Sequence, residues 1–149
     1  MKTIQQLMTT KIIPEILEEI SKCTTEEQIK TILLKNNSPA LRMMFQYVFR
    51  PSDAKDDFFI KELPVYKPDP GPIGVNPNSL FIEMRRLYIF LNSKVLPFKK
   101  KMELLIAILE SVHPSEAELL GKIFKHNLGI PLLTEKLVRE TLFPEKRNV

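Results

Sequence analysis

The chain has 149 residues, 44% of them hydrophobic, which is enough for one domain with a substantial core, so we expect a single domain over residues 1–149. The net charge of +4 and the pI near 9.2 permit an acidic partner without requiring one. A single cysteine, Cys23, excludes an intramolecular disulfide and a thiolate cluster for a metal. Because the sequence has no signal peptide and no bilayer-spanning apolar run, we expect a cytoplasmic protein that does not bind membranes.

Three helices are predicted within residues 13–50. Apolar residues recur there at helical spacing, and the third helix carries the strongest internal face, so it should be largely buried. The first helix should extend from Pro14 to Lys22, and the second should end near Asn36. The helix starts are marked by Pro14, by a capping box made by Thr24 with Glu27 or by Thr25 with Gln28, and by Ser38 followed by Pro39.

Residues 51–78 differ from the rest in composition, because prolines and glycines exclude a continuous helix. We predict a long ordered connection here rather than a solvated linker, since its apolar residues should lie against the helices. The prolines are Pro51, Pro64, Pro68, Pro70, Pro72 and Pro77, and the apolar residues are Phe58, Phe59, Ile60, Leu63, Val65 and Tyr66.

The C-terminal helices are predicted over residues 79–143. One helix should extend from Leu80 to Leu91, with Met84, Leu87, Tyr88 and Leu91 facing inward and Asn78 or Ser79 as its cap. A second should extend from Pro97 to Val112. The predicted fold class is therefore all-α, a compact bundle of about six to seven helices with one long Pro-rich ordered connection.

The stretch from His113 to Phe143 predicts a helix, a glycine turn and a further helix. The first of these has an apolar stripe and ends at Asn127-Leu128-Gly129, since glycine adopts the left-handed conformation common at helix C-termini. Thr134 is the expected N-cap of the second helix. Two helices at a tight turn are typical both of nucleic-acid contacts and of an ordinary bundle corner.

Residues arranged for catalysis or metal binding are not found. His113 and His126 are a helix apart with no cysteine or carboxylate cluster at ligand spacing, and a Gly-x-Ser-x-Gly elbow is absent. Cys23 is most simply a packed thiol, and the adjacent acidic pairs do not face each other on a helix. We therefore expect no enzymatic activity, cofactor, metal or small-molecule substrate.

Cationic residues are concentrated in the C-terminal half, whereas glutamates concentrate in the first two helices. Such asymmetry is typical of a phosphate-binding face, although a solvated helical surface produces the same pattern. Any DNA contact by lysine and arginine should involve the backbone and depend on salt. The cations are Lys94, Lys99, Lys100, Lys101, Lys122, Lys125, Lys136, Arg139, Lys146 and Arg147.

Four stretches in this order make the chain resemble the N-terminal DNA-binding domain of ATP-dependent DNA ligases, especially the short version in T-even-type bacteriophage ligases. They are ILEEISKCTTEEQIKTILLKNN, SPALRMMFQYVFRP, FFIKELP and AELLGKIFKHNLGIPLLTEKLVRETLFP. The resemblance implies an all-helical domain that grips the minor groove around a nick through backbone contacts. Adenylation and strand joining belong to further domains of those ligases, so we expect DNA binding without ligation.

The resemblance implies a phage-encoded protein for DNA replication or repair, located in the host cytoplasm, with double-stranded DNA as its partner. Its turn would bring backbone amides to phosphate at Leu128-Gly129-Ile130. The expected DNA-binding residues are Lys99, Lys100, Lys122, Lys125, His126, Gly129, Ile130, Lys136 and Arg139.

The alternative hypothesis is a protein–protein adaptor for a replication or transcription complex. It is favoured by Ile130-Pro131-Leu132-Leu133, which is more apolar than a DNA-facing turn requires, and by Phe58-Phe59 if those rings are exposed. Dispersed lysines together with an exposed apolar patch at 130–133 would favour the adaptor.

Overall fold

Helices make up most of the described chain. The computed structural model describes residues 11–50, 57–93 and 95–143, and within these ranges there are seven α-helices, one 3-10 helix and no strand beyond an isolated bridge between Phe58 and Leu91. The α-helices are Ile13–Ser21 (α1), Glu26–Lys35 (α2), Pro39–Val48 (α3), Leu80–Glu83 (α4), Phe98–Leu109 (α5), Pro114–Phe124 (α6) and Glu135–Leu142 (α7), and the 3-10 helix Met84–Phe90 continues α4. The all-α prediction is confirmed.

Side chains at the helix starts explain why the helices begin where they do. The Thr25 hydroxyl accepts a hydrogen bond from the backbone N–H of Gln28 at 3.3 Å, and the Gln28 side chain accepts one from the backbone of Thr25. The second of the two expected capping boxes is therefore the one that forms. Ser38, Ser79 and Thr134 cap α3, α4 and α7 through their hydroxyls. Each cap satisfies a backbone donor that has no partner within its helix.

The prediction of a single α-helix from Leu80 to Leu91 is wrong for its second half, because Met84–Phe90 is a 3-10 helix. A 3-10 helix has about three residues per turn, so residues three apart lie above one another. Met84, Leu87 and Phe90 follow this spacing and are fully buried. Tyr88, which was expected to face inward, is exposed. The change of helix type therefore lets Phe90 join the core instead of Tyr88.

Helix α6 lies at the centre of the packing, since it contacts α1, α3 and α5. Its predicted apolar stripe is confirmed, and Leu120, Ile123 and Phe124 are fully buried. The ring of Phe124 lies 4.5 Å from that of Phe58 and 6.4 Å from that of Phe90. These three rings join α6 to the Pro-rich connection and to the 3-10 helix.

Helices α2 and α7 pack against each other although they are far apart in sequence. Ile29 and Leu33 are the buried residues of α2, and Leu137, Val138 and Leu142 are those of α7. Each helix is short and has a polar outer face, so neither buries its apolar side without the other.

The connection between α3 and α4 is held at several points along its described part, residues 57–79. The backbone N–H of Phe59 donates to the Phe90 carbonyl at 2.8 Å, and that of Lys67 donates to the Glu110 carboxylate at 2.7 Å. Phe58 is in the core, whereas Val65 is 97% exposed. The prediction that the apolar residues of the connection pack against the helices is confirmed for all of them except Val65. The predicted ordered connection also includes residues 51–56, which lie outside the described residues.

Candidate nucleic-acid interface

The nine residues expected to contact DNA are carried by several elements. Helix α5 packs against α6 and the 3-10 helix, whereas α7 packs against α2, so the cations of α5 and α7 belong to different parts of the bundle. Lys99 and Lys100 lie in the first turn of α5, Lys122 lies on α6, Lys125, His126, Gly129 and Ile130 follow α6, and Lys136 and Arg139 lie on α7.

Two of the expected cations already have acidic neighbours. The ammonium group of Lys125 lies 3.1 Å from the Glu62 carboxylate, and Arg139 pairs with Glu135 one turn earlier on α7. Lys122 is exposed beside the groove between α1 and α6, where Glu18 also lies. These carboxylates lower the positive potential that each cation offers to a phosphate.

His126 has a structural position rather than a solvent-facing one. Its φ of 58° is left-handed, and the N–H of Asn127 donates to the Lys122 carbonyl at 3.1 Å, which closes the end of α6. The helix therefore stops at His126, before the glycine expected to stop it. One ring nitrogen of His126 is 2.8 Å from the Tyr47 carbonyl and the other is 2.7 Å from Asp57. Neither ring nitrogen is left for a phosphate in this arrangement.

Asp57 joins the Pro-rich connection to the end of α6. Its carboxylate accepts hydrogen bonds from Lys61, from His126 and from the backbone of Phe58. Burial alone would raise the pKa of this carboxyl, but the hydrogen bonds outweigh burial and lower the pKa from 3.8 to about 2. The charged form of Asp57 is therefore the one that holds these segments together.

We expect Asp57→Asn to lower the free energy of unfolding near neutral pH. A depressed carboxyl pKa contributes stability that is present above the unfolded-state value and is lost as the pH falls through the folded-state value. The difference between the natural protein and the variant should therefore shrink as the pH falls from 3.8 towards about 2. Urea unfolding at a series of pH values, followed by circular dichroism, measures this difference. A difference that does not change with pH would contradict the expectation.

The turn after α6 has the conformation expected of its glycine. Gly129 has a φ of 74°, and its backbone N–H donates to the Asn127 side chain at 2.9 Å. Ile130 is half-buried against the core, Leu133 is 5% exposed and Leu132 is 41% exposed. Pro131 is also exposed, so the segment 130–133 is packed at Ile130 and Leu133 and presents a small apolar surface at Pro131 and Leu132.

Two adjoining grooves at the C-terminal end of α3 bring arginines together. Gln46 lies in the last turn of α3 and Arg50 follows the end of that helix, and both residues line both grooves. One groove, of about 360 Å³, lies between α3 and α7 and includes Arg139. The other, of about 260 Å³, extends to the 3-10 helix and includes Arg85. Arg50, Arg85 and Arg139 therefore surround the exposed side chain of Gln46.

The charges around these grooves are mainly positive. Within the described ranges, neither Arg50 nor Arg85 forms an ion pair with a carboxylate, and Glu135, the partner of Arg139, is the one acidic residue lining either groove. Tyr47 borders the smaller groove, and burial raises the pKa of its phenol, although the charge of Arg50 lowers it. The grooves thus present guanidinium groups to a ligand arriving from solvent.

Of these groove residues, sequence analysis identified Arg139 and missed Gln46, Arg50 and Arg85. The one local signal was the closeness of Gln46 and Arg50 in sequence, at the C-terminal end of a strongly amphipathic α3. Arg85 carries no such signal, because the packing of the 3-10 helix on α3 brings it to the groove.

The sequence profile of a family described as a family of unknown function, DUF6433, matches residues 16–130, and the chain belongs to this family. The match includes α3 with Gln46 and Arg50, and also Arg85, whereas α7 with Arg139 follows it. The curated proteins contain no match to the chain. The solved structures contain none either.

Other kinds of site find no support in the part of the chain that the structure describes. Residues 11–50, 57–93 and 95–143 contain no helix long and apolar enough to cross a membrane and no group of three or more potential metal ligands. Cys23 is half-buried, and its thiol donates to the Glu19 carbonyl at 3.5 Å. The His113 side chain accepts a hydrogen bond from the Ser115 backbone and caps α6.

Proposed function

We propose that this protein is a non-enzymatic DNA-binding protein that contacts the phosphate backbone of double-stranded DNA. The proposal rests on one observation, the grouping of Arg50, Arg85 and Arg139 around two adjoining grooves. The planar guanidinium group donates two parallel hydrogen bonds to a phosphate, which makes arginine the preferred residue for phosphate recognition. The resemblance to ligase DNA-binding domains, together with the phage origin and the host cytoplasm that it implies, is consistent with this function.

The proposal assigns different roles to the expected cations. Lys136 lies one turn before Arg139 on α7 and is exposed, so it extends the arginine group along that helix. Lys99, Lys100 and Lys122 are exposed and serve as additional backbone contacts. His126 has internal partners and positions the turn containing Gly129 and Ile130 instead of binding phosphate directly. Lys125 pairs with Glu62 at the surface, where it serves as a further backbone contact.

Replacing Arg50 and Arg85 together with alanine is expected to weaken duplex binding on every sequence alike. Each lost phosphate contact should make the slope of log affinity against log salt shallower by about 0.9. Fluorescence anisotropy with a labelled duplex, at salt concentrations from about 50 to 200 mM, measures both affinity and slope. Lys136→Glu should weaken binding in the same way.

The matched control is Arg42→Ala. Arg42 lies on α3, just before Arg50 in the chain, and is half-buried like Arg50, but it hydrogen-bonds Asn37 and lines neither groove. This variant should bind duplex as the natural protein does. Equal losses for Arg42→Ala and for the double variant, or an affinity of the natural protein that ignores salt, would refute the proposal.

The alternative function is a protein–protein adaptor for a replication or transcription complex. Of the two segments first considered for it, Phe58 is buried and Phe59 is half-buried, whereas Pro131 and Leu132 leave a small exposed apolar surface. The observation that favours the adaptor function concerns another segment, in which Val95 is 100% exposed and Phe98 is 59% exposed. A pull-down from infected cells with and without nuclease separates the two functions, because a partner held through DNA is lost on nuclease treatment.

A further inference from the structure

The larger groove, between α3 and α7, has an apolar floor that a phosphate contact does not require. Its floor is apolar and includes Phe45, Phe49, Val138 and Phe143, whereas its rim includes Gln46, Arg50, Glu135 and Arg139. Backbone phosphates are bound by charged and polar groups alone, and an apolar floor adds nothing to that contact. The floor therefore points to a ligand that has a flat apolar part as well as negative charge.

We infer that this groove binds an unpaired nucleobase, with the flanking phosphates held by Arg50 and Arg139, so that the protein favours DNA containing an unpaired base. The inference rests on the proposed DNA binding and names the form of DNA recognised. It concerns a stacking site between α3 and α7 and does not involve the turn at Gly129.

The ring of Phe49 is suited to be the stacking surface. It lies 5.9 Å from the ring of Phe45, with 13° between the ring planes, and Phe45 is fully buried. Phe49 is half-buried, so one part of the ring is fixed in the core while another part lines the groove. A base stacks on such a ring without regard to its identity, because every base has a π face.

The size and rim of the groove fit a single nucleotide. Its volume of about 360 Å³ is within the range usual for small-ligand sites. Arg50 follows the C-terminal end of α3 and Arg139 lies on α7, so a cation stands on each side of the groove. The exposed amide of Gln46 offers both donors and an acceptor to a base edge. A base inside a duplex has its faces covered by neighbours, so only an unpaired base can enter.

The experiment compares two labelled DNAs in anisotropy titrations of the full chain at one salt concentration. One is an intact duplex, and the other is the same duplex lacking one nucleotide from one strand, which leaves a base unpaired. We expect the gapped DNA to bind about tenfold more tightly, the gain that corresponds to about 1.4 kcal/mol. Polyglutamate of similar charge should compete poorly with the labelled DNA. If polyglutamate binds as strongly as the gapped DNA, the groove recognises acidic peptides and the inference is overturned.

Phe49→Leu should abolish the tenfold preference, whereas Phe49→Tyr should retain it. Phe98→Leu is the matched control, since Phe98 is exposed and lies outside the groove. Gln46→Ala, at an exposed position, reduces the preference without any risk to folding. Equal affinity for the two DNAs would overturn this inference alone, whereas failure to bind either DNA would overturn the proposed function as well.

Discussion

Phe124→Ala is expected to lower the free energy of unfolding by about 3–5 kcal/mol. Phe124 is fully buried, and its ring contacts those of Phe58 and Phe90. Removing it leaves a cavity where α6, the 3-10 helix and the connection meet, and these elements come from three separate stretches of the chain. Rearrangement of any one of them cannot fill the space.

Urea unfolding followed by far-ultraviolet circular dichroism measures this effect, since the chain has no tryptophan. The control is Phe98→Ala, which removes an equally large side chain that is 59% exposed and contacts only the edge of Phe59. It should cost about 1 kcal/mol or less. Similar losses for both variants would show that the ring cluster does not have the central position described.

Glu116→Ala is expected to lower the free energy of unfolding by about 3–5 kcal/mol, an effect as large as that of removing a core aromatic ring. Glu116 is 1% exposed, and its two carboxylate oxygens accept from the backbone N–H groups of Leu80 and His113, at 2.9 and 3.2 Å. It therefore holds the starts of α4 and α6 together. Without it, the buried N–H of Leu80 has no acceptor.

The more conservative Glu116→Gln should cost about 1–3 kcal/mol, because its amide oxygen serves one backbone donor and its amide nitrogen cannot serve the other. Glu118→Gln, on the exposed side of the same helix, is the matched control and should cost about 0.5 kcal/mol or less. If the two glutamine variants unfold at the same urea concentration, the buried carboxylate does not join the two helix starts.

The pH dependence of the Glu116→Gln effect has a definite sign. Burial raises the pKa of the Glu116 carboxyl above 4.5, although hydrogen bonds from Leu80 and His113 lower it. A carboxyl whose pKa is raised in the folded state contributes to the free energy of unfolding. This contribution is complete at a pH below the unfolded-state pKa and diminishes as the pH rises through the folded-state pKa. The cost of the substitution should therefore be greater near pH 4.5 than at neutral pH.

The parts of the fold that sequence analysis predicted correctly depend on local chemistry. The caps at Thr25, Ser38 and Thr134 each join residues three positions apart, so both partners are visible in the local sequence. The 3-10 helix was missed because Met84 and Leu87 fit a period of either 3.0 or 3.6. Hydrogen bonding of Phe90 to the distant Phe59 belongs to tertiary structure and is not visible in that spacing.

The candidate site was predicted less completely, for the same reason. Cation counting found Arg139 but not Arg50 or Arg85, because three elements far apart in sequence bring these side chains together. The same counting assigned His126 to DNA, whereas its nitrogens face Tyr47 and Asp57. Counting charges along the sequence thus could not identify which cations share a groove.

The pairing of α2 with α7 determines when the groove between α3 and α7 is completed during synthesis of the chain. Helix α7 is made after every other described helix, and until it emerges from the ribosome the buried face of α2 has no partner. Such a distant contact also forms late when the chain folds. Because Val138 and Arg139 belong to α7, the groove floor and one of its cations are completed in that same step. A nascent chain therefore completes this groove when α7 packs against α2.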